Sequence, residues 1–124
     1  MRENINVLIL EDEPITRSLL KSLLHKEGYT VSVTSSYDEA TAAWQRASYD
    51  LIMADFFLEG AKTGADFLRE VRAAGSKIPA IALSIADGPK NLADIENAGF
   101  DCYLPKPIDM KVLSEAVAKL LAAV

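Results

Sequence analysis

The chain has a single cysteine, Cys102, among its 124 residues. One cysteine excludes a disulfide within the chain and fits a reducing location, so we expect Cys102 to be a small apolar residue with no reactive thiol. No apolar run approaches the roughly 20 residues that a membrane-spanning helix needs. The first residues, Met1 to Asn4, lack the apolar core of a secretory signal peptide. The sequence therefore predicts a cytoplasmic protein without a membrane segment.

Basic residues are also few. Lysine and arginine together number 13, against 18 acidic residues, which gives a formal net charge of -5. This balance argues against nonspecific binding to nucleic acid or to an anionic membrane surface, and we expect neither among the partners. The sequence contains no internal repeat, low-complexity tract or linker, so we interpret residues 1–124 as one domain.

Apolar runs alternate with amphipathic segments along the whole chain. Five short runs are predicted strands, and three of them are nearly continuous apolar sequence, as is typical of parallel strands covered on both faces. The run Thr30–Thr34 alternates between polar and apolar residues instead, which favours a strand near a sheet edge. The predicted strands are Ile5–Leu10, Thr30–Thr34, Leu51–Ala54, Ala80–Leu83 and Cys102–Leu104.

Helix signals lie between the strands. Ser36 and Glu39 predict a capping box at the start of the second helix. The other predicted helix limits are marked by Pro14, Gly28, Gly75, Pro89, Gly99 and Asp109. In the first helix we expect one inward apolar stripe made of Ile15, Leu19, Leu20, Leu23 and Leu24.

Acidic residues follow two of the predicted strands. Five strand–helix pairs with right-handed crossovers predict an α/β fold, an open doubly wound sheet whose functional groups collect beyond the carboxyl ends of the strands. Glu11 and Asp12 follow the first strand and Asp55 follows the third, so we expect one shared pocket. Crowded carboxylates need a proton or a cation between them. Mg2+ is the natural cation, because it binds carboxylate oxygens and keeps water ligands for a phosphate.

Two further polar residues stand at strand ends. Ser84 follows the fourth strand, and Lys106 follows the fifth, directly before Pro107. A lysine, a hydroxyl donor and Mg2+ stabilise a phosphoryl group in transfer, and a carboxylate is an established nucleophile for it. Each residue alone is ordinary, since acids favour helix starts and a loop serine or lysine is common. Together, at these positions, they predict Mg2+-assisted phosphoryl chemistry.

These residues, with the segments Leu8–Pro14 and Asp101–Pro107, resemble the receiver domain of two-component response regulators. The resemblance covers essentially the whole chain. It implies a single flavodoxin-like domain with a parallel five-stranded sheet in the order 2-1-3-4-5. It also implies a phosphorylatable switch that assists its own phosphorylation and dephosphorylation, and not a metabolic enzyme.

The resemblance implies a role for each residue of the pocket. Asp55 would accept the phosphoryl group from a phosphohistidine. Lys106 would pair with Asp55 at rest and with a phosphoryl oxygen afterwards, and its bond to Pro107 is expected to be cis. Ser84 would swing to donate a hydrogen bond to another phosphoryl oxygen. Tyr103 would follow it inward and change the surface of the fourth helix, fifth strand and fifth helix.

The metal ligands implied by the resemblance are Asp12, Asp55 and the backbone carbonyl of Phe57, with Glu11 acting through water. Glu11 stands where the family usually has aspartate, so its longer reach is expected to alter the water-mediated contact. The loop Phe56–Gly64 is about one residue longer than the common form and lacks its usual proline.

Ile85 is a sharper departure from the family pattern, which usually has alanine or glycine after the serine. A β-branched side chain there is expected to narrow access to the phosphoryl pocket. Phe57 and Ala86 hold positions that influence attack by water in the family, and neither side chain can orient water by a hydrogen bond. We therefore predict a slowly decaying phosphoryl state and poor phosphorylation by small donors.

The partners implied by the resemblance are a sensor histidine kinase or a histidine phosphotransfer protein. Pro14, Ile15 and Pro107 would surround the site and contact a kinase helix bundle. A second face, built from Lys90, Asn91, Asp94, Tyr103 and Lys111, would contact an output partner or another copy. The resemblance therefore allows a homodimer that forms on phosphorylation but does not require one. The sequence equally allows a stand-alone regulator and a domain of a larger protein, and we expect no direct contact of this domain with DNA.

The sequence also bears on three alternative functions. An Mg2+-dependent phosphatase or phosphotransferase with an aspartate nucleophile often has a second acid nearby, but Phe57 cannot act as one. A receiver-like scaffold without phosphorylation conflicts with the complete set of acid, aspartate, serine and lysine. A flavodoxin-like cofactor binder would need a phosphate loop after the first strand, where the acids Glu11 to Glu13 would repel a phosphate.

Overall fold

The computed structural model describes residues 4–56, 62–84 and 89–123, with side chains in the last range from residue 93. Five strands alternate with five helices, none of them, within these ranges, long and apolar enough to span a membrane. The strands are β1 (Asn6–Leu10), β2 (Thr30–Thr34), β3 (Leu51–Asp55), β4 (Ala80–Ser84) and β5 (Cys102–Pro105). The helices are α1 (Pro14–Lys26), α2 (Tyr37–Arg46), α3 (Gly64–Ala73), α4 (Pro89–Ala98) and α5 (Met110–Ala122).

The strands form one parallel sheet in the order β2-β1-β3-β4-β5. This confirms the predicted α/β class, the doubly wound (βα)5 architecture and the strand order. β2 lies at an edge of the sheet, as its alternating sequence indicated. β1 and β3 are direct neighbours, with Leu10 opposite Ala54, so the residues that follow both strands emerge side by side.

Two apolar layers cover the faces of the sheet, because successive side chains of a strand point to opposite sides. Leu8 and Leu10 of β1 pack with the residues of α2, α3 and α4, whereas Val7 and Ile9 pack with those of α1 and α5. Cys102 is half-buried against the second layer, and burial raises the pKa of its thiol, as expected for a packing residue. The central strands are enclosed, so polar side chains gather where they end.

The helix starts follow the predicted signals with one exception. Glu13 caps α1 by accepting hydrogen bonds from the backbone N–H groups of residues 15 and 16, and Asp109 caps α5. At α2, Ser36 Oγ accepts from the N–H of Glu39, but the Glu39 carboxylate accepts from the N–H and hydroxyl of Ser35. The predicted capping box is therefore wrong in its second half. Ser35 offers the carboxylate two donors, where the N–H of Ser36 would offer one.

The predicted inward apolar stripe of α1 is also wrong in part. Leu20 and Leu24 are fully buried, but Ile15 and Leu19 are 70% and 52% exposed. At 100° per residue, Ile15 and Leu19 lie about 140° and about 100° around the helix from Leu20. The inward positions of the first turn are instead held by polar residues, and Arg17 is one of them, half-buried. The apolar stripe of α1 is therefore split between the core and the surface.

Candidate functional site

The acidic residues meet at the carboxyl edge of the sheet. Glu11 is fully buried one residue after β1, Asp12 is half-buried, and Asp55 is buried at the last position of β3. One carboxylate oxygen from each lies within 4.8 Å of the other two. A shallow cavity of about 440 Å³ borders this cluster and is lined by Asp12, Glu13, Pro14 and Ser35. The edge of the sheet thus carries three converging carboxylates beside an opening to solvent.

Lys106 reaches into the same cluster from the segment after β5. Its ammonium Nζ lies 2.7 Å from Glu11 Oε1 and 2.9 Å from Asp55 Oδ2. The Lys106 side chain is only 17% exposed, so both ion pairs are largely shielded from water. The peptide bond between Lys106 and Pro107 is cis, as predicted.

Burial raises the pKa of Asp55 from its ordinary value to about 7. The hydrogen bond from Lys106 opposes this shift, and the negative charges of Glu11 and Asp12 add to it. For Lys106 itself, burial disfavours the charged form, but its hydrogen bonds to Glu11 and Asp55 outweigh burial and raise its pKa. The cluster therefore keeps its cation and holds Asp55 poised near neutral pH, where perturbed carboxylates are often functional.

Local hydrogen bonds fix the loop between β1 and α1. The N–H of Glu11 donates to the carbonyl of Thr34 at 3.0 Å, which ties the loop to the end of β2. The second oxygen of the Glu11 carboxylate accepts from the N–H of Glu13 at 3.0 Å. Thr34 Oγ1 in turn donates to the carbonyl of Ile9 at 2.7 Å. Glu11 is thus held through both its backbone and its carboxylate.

Ser84 and Tyr103 lie on the strands next to the cluster. Ser84 is fully buried at the end of β4, and its carbonyl accepts a hydrogen bond from the N–H of Lys106 at 2.9 Å. Tyr103 is half-buried on β5, opposite Ala82, and packs against the layer under α2, α3 and α4. The predicted ligand Phe57 and the predicted gate at Ile85 both lie outside the described residues.

Three residues near the cluster have roles that the sequence pattern did not predict. A Cβ on Gly64 would lie 1.9 Å from the backbone carbonyl oxygen of Asp55, so only glycine fits at this position. Thr63 and Asp66 form a reciprocal capping box that begins α3 directly beside it. The pattern of a threonine followed three residues later by an acid was available in the sequence, but aspartate is not the usual acid of a capping box.

The acidic cluster suits a hard divalent cation. Mg2+ prefers carboxylate oxygens and is usually bound by one or two carboxylates, with waters and phosphate oxygens as its other ligands. Glu11, Asp12 and Asp55 supply such oxygens within 4.8 Å of each other, at an open edge where waters and a phosphate have room. The raised pKa of Asp55 reflects carboxylates crowded in a buried space, which a cation would relieve. The donor set therefore fits Mg2+.

The family model of the response regulator receiver domain matches residues 7–118 of the chain. The chain belongs to this family. The receiver domain is similar to the transcriptional regulatory protein TrcR of Mycobacterium tuberculosis, with 33% identity over 94% of this chain and 44% of TrcR. It is also 33% identical to the TorCAD operon transcriptional regulatory protein TorR of Escherichia coli, over 94% of this chain and 50% of TorR. The chain spans about half the length of the curated relatives it matches.

Solved structures support the same family. The receiver domain of the Francisella response regulator 1452 is 26% identical and superposes with a TM-score of 0.89, over 97% of this chain and 98% of that one. The signal receiver domain of a histidine kinase from Syntrophus aciditrophicus is 28% identical, with a TM-score of 0.86, over 96% and 91%. Receiver domains similar to this one thus occur in regulators and in a kinase.

Proposed function

We propose that this receiver domain accepts a phosphoryl group on Asp55 from the phosphohistidine of a sensor histidine kinase or a histidine phosphotransfer protein. The observation that carries the proposal is the contact between Lys106 Nζ and Asp55 Oδ2, 2.9 Å apart within the acidic cluster. A buried aspartate beside a cation has the surroundings that a carboxylate nucleophile in phosphoryl transfer needs. We take residues 1–124 as the unit that carries this activity.

The proposed transfer exchanges one bond to phosphorus for another. A carboxylate oxygen of Asp55 forms a bond to phosphorus as the bond between phosphorus and the imidazole nitrogen of the donor breaks. The electron pair of the broken bond stays on that nitrogen, which then takes up a proton. The ammonium of Lys106 moves from the Asp55 carboxylate to a phosphoryl oxygen and offsets its charge. Its raised pKa keeps Lys106 protonated throughout.

Glu11, Asp12 and Asp55 are the residues that we propose for the Mg2+ site, with Glu11 acting through water. Mg2+ bound there would neutralise the crowded carboxylates and the charge on the phosphoryl oxygens. The contribution of the Phe57 carbonyl stays a prediction, because Phe57 lies outside the described residues. The buried position of Glu11 and its contact with Lys106 support an indirect role for this residue, since its Oε1 already faces an ammonium.

Phosphorylation is proposed to switch the surface made by α4, β5 and α5. Ser84, buried at the end of β4, would donate a hydrogen bond to the phosphoryl group, and Tyr103 would move inward behind it. The half-buried position of Tyr103, which packs against the layer under α2, α3 and α4 but is still partly exposed, supports such a movement. Asp94, Tyr103 and Lys111 of the predicted output face lie among the described side chains, whereas Lys90 and Asn91 do not.

The exposed apolar residues of α1 are proposed to contact the phosphoryl donor. Ile15 is 70% exposed and Leu19 is 52% exposed, and large apolar side chains at the surface beside a site favour protein contacts. Pro14 and Pro107 are exposed at the same edge of the domain. We propose that the helix bundle of a kinase or phosphotransfer protein docks here, and that any dimer of this domain forms through the separate α4–β5–α5 surface.

A slow decay of the phosphoryl state is the remaining part of the proposal. It rests on Ile85, Ala86 and Phe57, which all lie outside the described residues. The lifetime of the acyl phosphate can be measured by its loss over time after the donor is removed. Substitution Ile85→Ala is expected to speed both phosphorylation by small donors and decay, and a lifetime of only seconds in the wild type would contradict the proposal.

The decisive experiment is binding of beryllofluoride, which stands in for a phosphoryl group on a carboxylate. We expect the wild type to bind it only with Mg2+, and NMR to record shifts at Ser84 and Tyr103. Asp55→Asn is expected not to bind, because it lacks the carboxylate oxygen. Intact mass after incubation with a phosphorylated kinase should rise by one phosphoryl group in the wild type alone.

The exposed substitution Asp38→Asn is the matched control and should bind like the wild type. If beryllofluoride failed to bind the wild type despite bound Mg2+, either Ile85 blocks the pocket or the domain is a scaffold that is not phosphorylated. An increase in mass after incubation with the kinase would then support the blocked pocket, and an unchanged mass would contradict the proposed function. If Asp55→Asn gained the same mass as the wild type, another residue would be the acceptor.

A further inference from the structure

We propose that Arg17 is a positioning residue of the metal site, which holds the loop carrying Glu11 and Asp12 in the shape that binds Mg2+. This inference rests on the proposed Mg2+ site. Arg17 Nη1 donates to the carbonyl of Glu11 at 2.9 Å and approaches the carbonyl of Asp12 at 3.4 Å. The first distance is that of a good hydrogen bond, and the second is that of a weak one. One guanidinium nitrogen therefore spans both residues of the acidic loop.

The position of Arg17 in α1 explains why it reaches the loop. Helical N–H groups bond to carbonyls four residues earlier, and here the N–H of Arg17 donates to the carbonyl of Glu13 at 3.0 Å. The carbonyls of Glu11 and Asp12 precede the helix, so a side chain must turn back to reach them. Arg17 stands on the inward side of the first turn and is half-buried, which places its guanidinium beneath the loop.

Two other hydrogen bonds of the loop involve its N–H groups. The N–H of Glu11 is fixed by the carbonyl of Thr34, and the N–H of Glu13 is fixed by the Glu11 carboxylate. These bonds hold donors of the loop, whereas Arg17 holds its acceptors. Groups that orient metal ligands in this way commonly change metal affinity about 10- to 100-fold when they are removed.

Electrostatics alone predicts that removal of Arg17 strengthens Mg2+ binding, so a role as a charge and a role in positioning predict opposite results. Arg17 carries a positive charge next to a site for a positive ion. Hydrogen bonds from Ser35 are the main reason that the pKa of Glu39 is lowered, and the charge of Arg17 adds to this effect. If Arg17 acted only as a charge, its removal would strengthen Mg2+ binding. If it positions the ligands, its removal weakens Mg2+ binding although the site becomes more negative.

The test compares the Mg2+ dissociation constants of the wild type, Arg17→Ala, Arg17→Lys and Lys21→Ala, measured by NMR titration at constant ionic strength. Lys21 is the matched control, because it is an exposed cation one turn later on the same helix. We expect Arg17→Ala to bind Mg2+ about tenfold more weakly than the wild type. Lys21→Ala should bind at least as tightly as the wild type. Arg17→Lys should restore part of the affinity, because its ammonium can still donate to a carbonyl but its side chain is one atom shorter and does not reach the position of Nη1.

Each result has a distinct meaning. Equal or tighter binding by Arg17→Ala than by Lys21→Ala would overturn the positioning role while leaving the proposed function intact. Absence of Mg2+ binding by the wild type would overturn the proposed metal site and this inference together. If Arg17→Ala failed to fold, Arg17→Lys decides alone: affinity equal to that of the wild type would contradict a role that depends on guanidinium geometry, and weaker binding would support it.

Discussion

Glu11 holds the ammonium of Lys106 at 2.7 Å through a carboxylate that is completely buried. Glu11 directly follows β1, and the length of the glutamate side chain lets its carboxylate contact Lys106. The same ammonium lies 2.9 Å from Asp55, so the two acids share one cation. In the proposed transfer, Lys106 moves from the Asp55 carboxylate to a phosphoryl oxygen, and its second ion pair with Glu11 would oppose any movement away from Glu11.

Substitution Glu11→Gln should lower the pKa of Asp55 below about 7, because the negative charge of Glu11 is one of the causes that raise it. The same change should weaken Mg2+ binding about tenfold, as expected for the loss of a group that acts on the metal through water. The pKa is measured from the carboxyl 13C shift of Asp55 against pH, and the affinity by titration. Glu115→Gln, an exposed change of the same charge on α5, should alter neither. An unchanged Asp55 pKa would mean that the charge of Glu11 does not contribute to it.

Asp55 should make the domain less stable as the pH rises, in buffer without divalent cations. Its pKa is about 7 in the folded state against an ordinary value of 3.8, so the folded state binds more protons between these pH values. Stability falls with rising pH wherever that holds. Asp55→Asn removes the effect and keeps an amide of the same size, while Lys106 retains Glu11 as a partner.

The melting temperature of Asp55→Asn should therefore match that of the wild type near pH 4 and exceed it increasingly up to pH 7. The gain above pH 7 should amount to a few kcal/mol, because one pKa unit corresponds to about 1.4 kcal/mol, and each kcal/mol raises the melting temperature by roughly 4 °C for a domain of this size. The exposed control Asp38→Asn removes a charge from the first turn of α2, so its difference from the wild type should be small and should stay constant between about pH 5 and pH 7. A difference that was constant with pH would show that the ionisation of Asp55 is not its cause.

The sheet and the acidic cluster were predictable because both depend on local patterns. Continuous apolar runs identify enclosed strands, and the residue after such a run must lie at the carboxyl edge. Glu11 and Asp55 could therefore be placed together without any contact being known. The alternating run in β2 gave its edge position in the same way.

The contacts that shape the loops were not predictable. Each of them joins two segments, and the sequence pattern does not give the distance between those segments. The role of Arg17 depends on which side of α1 turns inward, and the apolar residues Ile15 and Leu19 pointed to the wrong side. The requirement for glycine at Gly64 depends on how closely α3 approaches the last carbonyl of β3. The Glu39 carboxylate accepts hydrogen bonds from Ser35 and not from the N–H of Ser36, because Ser35 offers two donors. The capping-box pattern does not show which of the two serines is preferred.

Gly64→Ala should damage both the fold and the metal site. The added Cβ would lie 1.9 Å from the Asp55 carbonyl oxygen and 2.9 Å from its carbon, so α3 or the end of β3 must move. Overpacking of this kind costs about 1–3 kcal/mol, measured by urea unfolding, and displacement of Asp55 should weaken Mg2+ binding as well. Gly75→Ala is the comparison, since its φ of 98° makes alanine unfavourable but nothing lies within 4 Å of the new Cβ. It should lower stability and leave Mg2+ affinity unchanged. Normal affinity in Gly64→Ala would show that the site tolerates this movement.

Arg72 should prove irreplaceable by lysine, because its fork joins α3 to the turn after α4. Its Nε and Nη2 donate to the Gly99 carbonyl at 3.0 and 2.8 Å, and its Nη1 donates to the Ser76 carbonyl at 3.2 Å. Lysine cannot reproduce this geometry, so Arg72→Lys is expected to cost about 1–3 kcal/mol in urea unfolding. Arg69→Lys is the control on the same helix: its side chain is 52% exposed and pairs only with Asp66 in the described contacts, so it should cost less than about 1 kcal/mol.

The same substitution tests how the proposed output surface is anchored. Because Arg72 fastens the carboxyl end of α4, its loss should speed amide hydrogen exchange around residues 96–100 before the rest of the sheet is affected. If exchange there stayed as slow as in Arg69→Lys, packing of Ile95 and Phe100 in the core would hold this end of α4 without the guanidinium. Faster exchange confined to this end would show that the guanidinium of Arg72 anchors the carboxyl end of α4.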